Sequence, residues 1–165
     1  MSISSRYEGE INILHFIEGA RNAKGLTIII DVFRAFSLEC YLYDMGVKMI
    51  RPVGTIEEAA AQYIMAKNPE CVSLVCMGNG GVRPAAEDEL CAEYIKSILE
   101  GNELPDLGER VAQLRFRGGE HFFDKNRQDV FPEEDFRMCT KYNQFSFVIC
   151  IKRDKLGYIA CKEEI

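Results

Sequence analysis

Apolar and polar residues fall into blocks along this chain, and the blocks predict a β/α succession. Residues 26–30 (Leu-Thr-Ile-Ile-Ile) form a β-branched run with little polar interruption, the pattern of a strand buried on both faces of a parallel sheet. Residues 35–43 predict a helix, with Gly46 beyond it as a left-handed cap. Residues 47–53 predict a second strand, with Pro52 near its end. Thr55-Ile56-Glu57-Glu58 reads as a capping box, opening a helix that runs to about Lys67 before Asn68-Pro69 stops it. Residues 71–77 predict a third buried strand. Residues 11–17 alternate imperfectly and fit either an opening strand or a short helix. The opening half is therefore a βαβαβ unit, which calls for parallel strands and right-handed crossovers.

After the third strand, Gly78-Asn79-Gly80-Gly81 breaks the chain, and residues 87–99 resume as a helix closed by Gly101. Residues 105–115 predict a helix with Pro105 in its first turn, and residues 118–128 are polar and turn-like. Another helix starts at Phe131-Pro132-Glu133-Glu134-Asp135, and residues 145–152 are β-rich. Asp154-Lys155-Leu156-Gly157 then suggests a turn into residues 158–161, giving an antiparallel hairpin at the edge of the sheet. The expected architecture is a single α/β domain over residues 1–165, with three layers, a mainly parallel central sheet and a C-terminal hairpin.

Composition narrows the functional classes. Apolar content of 47% and charged content of 28% are ordinary for a globular protein. A net charge of −6 argues against a general nucleic-acid surface, because such binding is led by phosphate neutralisation. No apolar stretch approaches the ~18 residues of a membrane span. The first ten residues lack the apolar core of a secretory signal. Seven cysteines include no Cys-x-x-Cys pair, so neither a zinc ribbon nor a thioredoxin-type motif is expected. Reduced thiols in a cytoplasmic protein are the expectation. His15 and His121 are the two histidines, and no local motif joins either to a cysteine nucleophile.

The candidate chemistry gathers at strand ends. In open α/β sheets, ligands bind beyond the carboxyl ends of the strands, where Asp31 and Arg34 belong. A carboxylate there suits Mg²⁺, and a guanidinium fork matches phosphate oxygens. An exposed Asp opening a turn, with an Arg on the helix after it, accounts for the same residues. Strand, glycine loop and helix can turn backbone amides towards an anion, so Gly78, Asn79, Gly80 and Gly81 are candidate substrate contacts. The spacing matches neither a dinucleotide fingerprint nor a Walker loop, and positive φ in a turn explains the glycines equally well. Glu87, Asp88 and Glu89 oppose the dipole of the next helix. In the functional alternative, Asp88 is a second metal carboxylate across the cleft from Asp31. Arg115, Arg117 and His121 form either an anion patch or a solvated helix end.

Asp31-Val32-Phe33-Arg34-Ala35-Phe36-Ser37, then Met45-Gly46-Val47, then Arg51-Pro52-Val53-Gly54-Thr55-Ile56-Glu57-Glu58-Ala59, resemble the amino-terminal signature of the 2-phosphosulfolactate phosphatase family. Val72-Ser73-Leu74-Val75-Cys76-Met77-Gly78, followed by Glu87-Asp88-Glu89-Leu90-Cys91-Ala92, resembles that family's later strand, glycine loop and Glu-Asp helix. Between these blocks the chain departs from the pattern. It lacks the family's Gly-Glu-Arg, Gly-Phe-Asp…Asn-Ser-Pro and Asn-Gly-Thr segments, and Glu58-Ala59-Ala60-Ala61 leads directly into Tyr63-Ile64-Met65. Gly118-Gly119-Glu120 looks like a missing family element but lies far downstream of its place.

The resemblance implies Mg²⁺-dependent removal of phosphate from a small anionic phosphoester, a reaction of coenzyme M biosynthesis. It implies Asp31 and Asp88 as metal carboxylates, Arg34 as phosphate clamp, and Gly78 to Gly81 beside the peripheral oxygens. The departure supports a second reading, a catalytically silent, shortened family member serving as a binding or homo-oligomerising module. A third, a nucleotide-binding domain, rests on the βαβ organisation and glycine loop alone.

Overall fold

Among the described residues three parallel strands run in the order β1-β3-β2: β1 (Glu10–His15), β2 (Leu26–Ile30) and β3 (Cys71–Cys76). The computed structural model describes residues 6–33, 57–155 and 157–165. Arg34, Cys40, the helix expected at 35–43 with Gly46, the strand expected at 47–53 and the start of the capping box at Thr55 lie outside the described residues.

β3 lies between its two partners, and Val72, Ser73, Leu74, Val75 and Cys76 are all no more than 1% exposed. That burial explains why its sequence reads as an apolar run interrupted only by Ser73. Pairing aligns side chains in rows across the sheet. Ile11, Val72 and Leu26 share one row, and Ile13, Leu74 and Ile28 share the next on the same face. This face packs against α2 (Glu57–Lys67) and α3 (Ala86–Leu99) through Ala61, Ile64, Ala92, Ile95 and Leu99. The opposite face carries the row of Leu14, Val75 and Ile29. There α1 (Phe16–Asn22) comes so close that a Cβ on Gly19 would sit 3.0 Å from the Leu14 Cβ. Helices on both faces give the layered α/β arrangement expected.

One polar group on that second face is fully accounted for. The buried Ser73 hydroxyl accepts from the Lys24 amide at 2.9 Å and donates to the Lys24 carbonyl at 2.8 Å. This contact holds the turn into β2. Gly25 follows at φ +66°, where a Cβ would meet the Cys71 carbonyl oxygen at 2.0 Å, so only glycine fits.

Residues 11–17 hold both elements that their pattern suggested. β1 ends at His15 and α1 starts at Phe16, whose φ of +62° makes the sharp change of direction.

Beyond α3 come α4 (Leu107–Gln113), two 3₁₀ turns (Leu114–Phe116 and Glu120–Phe123) and α5 (Glu133–Cys139). Leu90, Leu107, Leu114, Phe122 and Phe136 form their core. Phe33 plugs into it, with ring centroids 5.1 Å from Phe122 and 5.6 Å from Phe136. The segment after β2 is thereby tied to the carboxyl-terminal half.

The C-terminal hairpin pairs β4 (Phe147–Asp154) with β5 (Gly157–Glu164). Among the described residues it forms its own two-stranded antiparallel sheet, with no pairing to β1, β2 or β3. Its apolar side is covered instead by α2, where Phe147 and Val148 pack with Ala59 and Tyr63. The Tyr63 hydroxyl donates to Glu163 at 3.1 Å, adding a polar anchor.

Candidate active site

Asp31 sits one residue past β2, at the carboxyl end of the parallel sheet. Two bonds pin the backbone on either side of it. The Ile30 carbonyl accepts from the Met77 amide at 2.9 Å, and the Val32 amide donates to Asp88 Oδ1 at 2.9 Å. Asp88 Oδ2 accepts a second amide, that of Gly78, at 2.8 Å. Asp88 is 2% exposed, and its carboxylate latches the segment after β2 to the segment after β3. It does so from the first turn of α3, where the helix dipole favours negative charge.

The acids here crowd one another. Burial pushes the Asp88 carboxyl up to about 6, against the pull of the Val32 and Gly78 amides, and the Asp31 and Glu89 charges add to the rise. Glu87 is pushed up to about 7, first by burial and then by Asp88, Asp31 and Glu120. Burial also raises Asp31. Glu87 Oε2 is buried with no hydrogen-bond partner among the described residues. Gly118 roofs that oxygen, since a Cβ there would lie 3.2 Å from it. Glu87 also lines a small cavity of about 30 Å³ together with Glu57, Val32 and Cys91. Burial raises the Glu57 carboxyl as well.

This chemistry fits a hard cation. The donors are carboxylate oxygens, they repel one another, and one buried oxygen lacks a partner. A carboxylate has about four lone-pair positions, so Asp88 keeps acceptor capacity beyond its two amides. In the sequence Glu87 is legible only as a helix-start acid. Its distinguishing feature is burial under Gly118, which no local pattern encodes.

The glycine loop is tighter than an open anion cradle. Gly78, Gly80 and Gly81 all have positive φ, and Asn79 pairs with Arg83 in an antiparallel bridge. The Gly78 amide is spent on Asp88, and that of Asn79 on the Arg83 carbonyl at 2.8 Å. The Gly81 amide points to the Gly78 carbonyl at 3.4 Å. An anion must compete with these bonds. Gly80 faces open space, with nothing within 4 Å of a would-be Cβ.

Arg34 lies outside the described residues. Arg115 and His121 are engaged on aromatic faces. The Arg115 guanidinium lies 3.9 Å from the Phe123 ring centroid, and the His121 ring lies 4.2 Å from Phe122 and 4.6 Å from Phe131. The described cysteines are free thiols, as expected from their spacing. Among the described residues no helix is long and apolar enough to cross a membrane.

The fold and these strand ends define an α/β protein with a cluster of raised carboxyls at the carboxyl edge of a parallel sheet. Over 73 residues the chain is 38% identical to a protein of Bacillus subtilis (strain 168) named "Probable 2-phosphosulfolactate phosphatase". The matched stretch is 43% of this chain and 32% of that relative, so the likeness is partial. No protein-family model matches the chain, and no solved structure matches it.

Proposed function

We propose that this chain is a phosphatase of small anionic phosphoesters, of the 2-phosphosulfolactate type, working with Mg²⁺ at Asp31 and Asp88. The observation that carries the reading is Asp31 itself, held beyond β2 by bonds on both sides and set beside Glu87 and Asp88. The partial likeness to a protein named as a phosphatase supports the same class. Hydrolysis consumes one water, breaks the ester P–O bond, and releases the alcohol and phosphate. Such transfer asks chiefly for positioning and charge neutralisation. Mg²⁺ would supply the neutralising charge for the phosphoryl oxygens. Asp31 and Asp88 are its proposed ligands. Arg34 clamps the phosphate through its guanidinium fork. The loop Gly78, Asn79, Gly80 and Gly81 lies beside the peripheral oxygens, with Gly80 offering the open approach.

A second reading, a binding module without turnover, is favoured by one observation. Both oxygens of Asp88 already do structural work. Phosphate release from 2-phosphosulfolactate and generic phosphoesters, with and without Mg²⁺, separates the two. The phosphatase reading expects Mg²⁺-dependent release, lost in Asp31→Ala. Substrate binding without release selects the silent module. Equal release by wild type and Asp31→Ala contradicts the proposed site.

A further inference from the structure

We propose that His15, Cys76 and Glu89 form a separate site for a zinc-class transition ion, at the same edge of the sheet as Asp31. β1 and β3 pair in parallel with His15 and Cys76 as register partners, so both side chains leave the same face. Glu89, in the first turns of α3, reaches that pair: its carboxylate oxygens lie 2.9 and 3.1 Å from His15 Nε2. One ligand atom from each residue can be chosen so that all three lie within 4.8 Å of one another. A tetrahedral ion with bonds of ~2.0–2.3 Å spaces its ligand atoms about 3.5 Å apart. Closing the difference asks for small rotations only. The side chains of His15 and Glu89 are 42% and 41% exposed and free to make them, while Cys76 is fixed in the core at 1% exposure.

The donor set names the ion. Imidazole nitrogen, thiolate sulfur and carboxylate oxygen together suit Zn²⁺, and sulfur selects against Mg²⁺. Three protein ligands leave a fourth position, open to solvent on the side of His15 and Glu89. The Cys76 thiol now donates to the Asp88 carbonyl at 3.5 Å. Metal binding replaces that S–H with an S–metal bond and releases the proton to solvent. Asp88 thus joins two neighbourhoods, its carbonyl against the thiol and its carboxylate on the Val32 and Gly78 amides. This site goes beyond the phosphatase reading and stands whether or not the Asp31 side turns over a phosphoester.

The test is Co²⁺ titration of the metal-stripped full chain under reducing conditions, read by absorption. We expect a near-ultraviolet thiolate-to-cobalt charge-transfer band with tetrahedral visible bands, removed by Zn²⁺ and unaffected by excess Mg²⁺. Cys76→Ser abolishes the charge-transfer band. His15→Ala and Glu89→Gln each raise the Co²⁺ Kd about tenfold or more, since loss of an outer-shell partner alone costs that much. Absence of the band in wild type, or its persistence in Cys76→Ser, overturns the site. If Cys76→Ser does not fold, the half-exposed variants decide, and unchanged Co²⁺ affinity in both overturns it.

Discussion

Asp88 accepts one backbone amide beyond each of two strands, so its removal strands two donors at once. An unsatisfied buried donor costs ~1–3 kcal/mol, partly offset by relief of a carboxylate that burial disfavours. Asp88→Ala should therefore lower unfolding free energy by about 2 kcal/mol. Asp88→Asn, which keeps one acceptor oxygen, should fall between. Urea denaturation reads both, and an unchanged midpoint in Asp88→Ala would remove the latch. Glu87 gives a pH signature. Its carboxyl is raised to about 7, so the folded state favours the protonated form. The stability that this lends is complete below the ordinary Glu range, where both states are protonated, and is lost as pH rises through about 7. Glu93 works in the opposite sense at lower pH: its hydrogen bond to Arg110 lowers its carboxyl, so its contribution is lost on acidification. In metal-free buffer, stability should decline between about pH 5 and pH 7, and Glu87→Gln should flatten that slope. An identical slope in the variant, measured by thermal unfolding, would contradict the assignment.

At the scale of elements, among the described residues the hairpin rests on α2. An isolated two-stranded hairpin is marginal in water, so β4 and β5 depend on the contacts of Phe147 and Val148 with Ala59 and Tyr63. Phe147→Ala should release the hairpin locally, with its amides losing hydrogen-exchange protection while those of β3 keep theirs. Uniform loss across both sheets would show a single cooperative unit instead. The hairpin also marks how far pattern reading reaches. β3 was legible because complete burial writes an apolar run broken only by Ser73. Its helical neighbour α3 was legible because Cys91, Ile95 and Leu99 recur at helical spacing and Gly101 follows. The hairpin's strands were legible too, but not its partner, because Phe147 and Val148 suit a helix face as well as a strand edge. Residues 11–17 were ambiguous for a different reason: the strand-to-helix boundary falls inside them. The site divides similarly. Asp31 stood out where an apolar strand ends, whereas the His15–Cys76–Glu89 group needs a register and a helix position that no single stretch of sequence carries.

For the whole molecule, the parallel sheet, α3 and the Gly118 turn bring Asp31, Glu87 and Asp88 to one strand-end cluster, where Mg²⁺ is proposed to bind. Burial raises the carboxyls of Asp31, Glu87 and Asp88, and the charge of Asp31 adds to the rise at the other two, so that ionising all three is electrostatically costly. A cation that binds the folded state alone must then stabilise it, by about 2.7 kcal/mol at 100 times its Kd. The most direct measurement is thermal unfolding of wild type and Asp31→Asn across a Mg²⁺ titration at fixed ionic strength. Mg²⁺ binding at Asp31 should give a saturable rise in Tm for wild type and none for Asp31→Asn. No rise in wild type, or the same rise in both proteins, would contradict it.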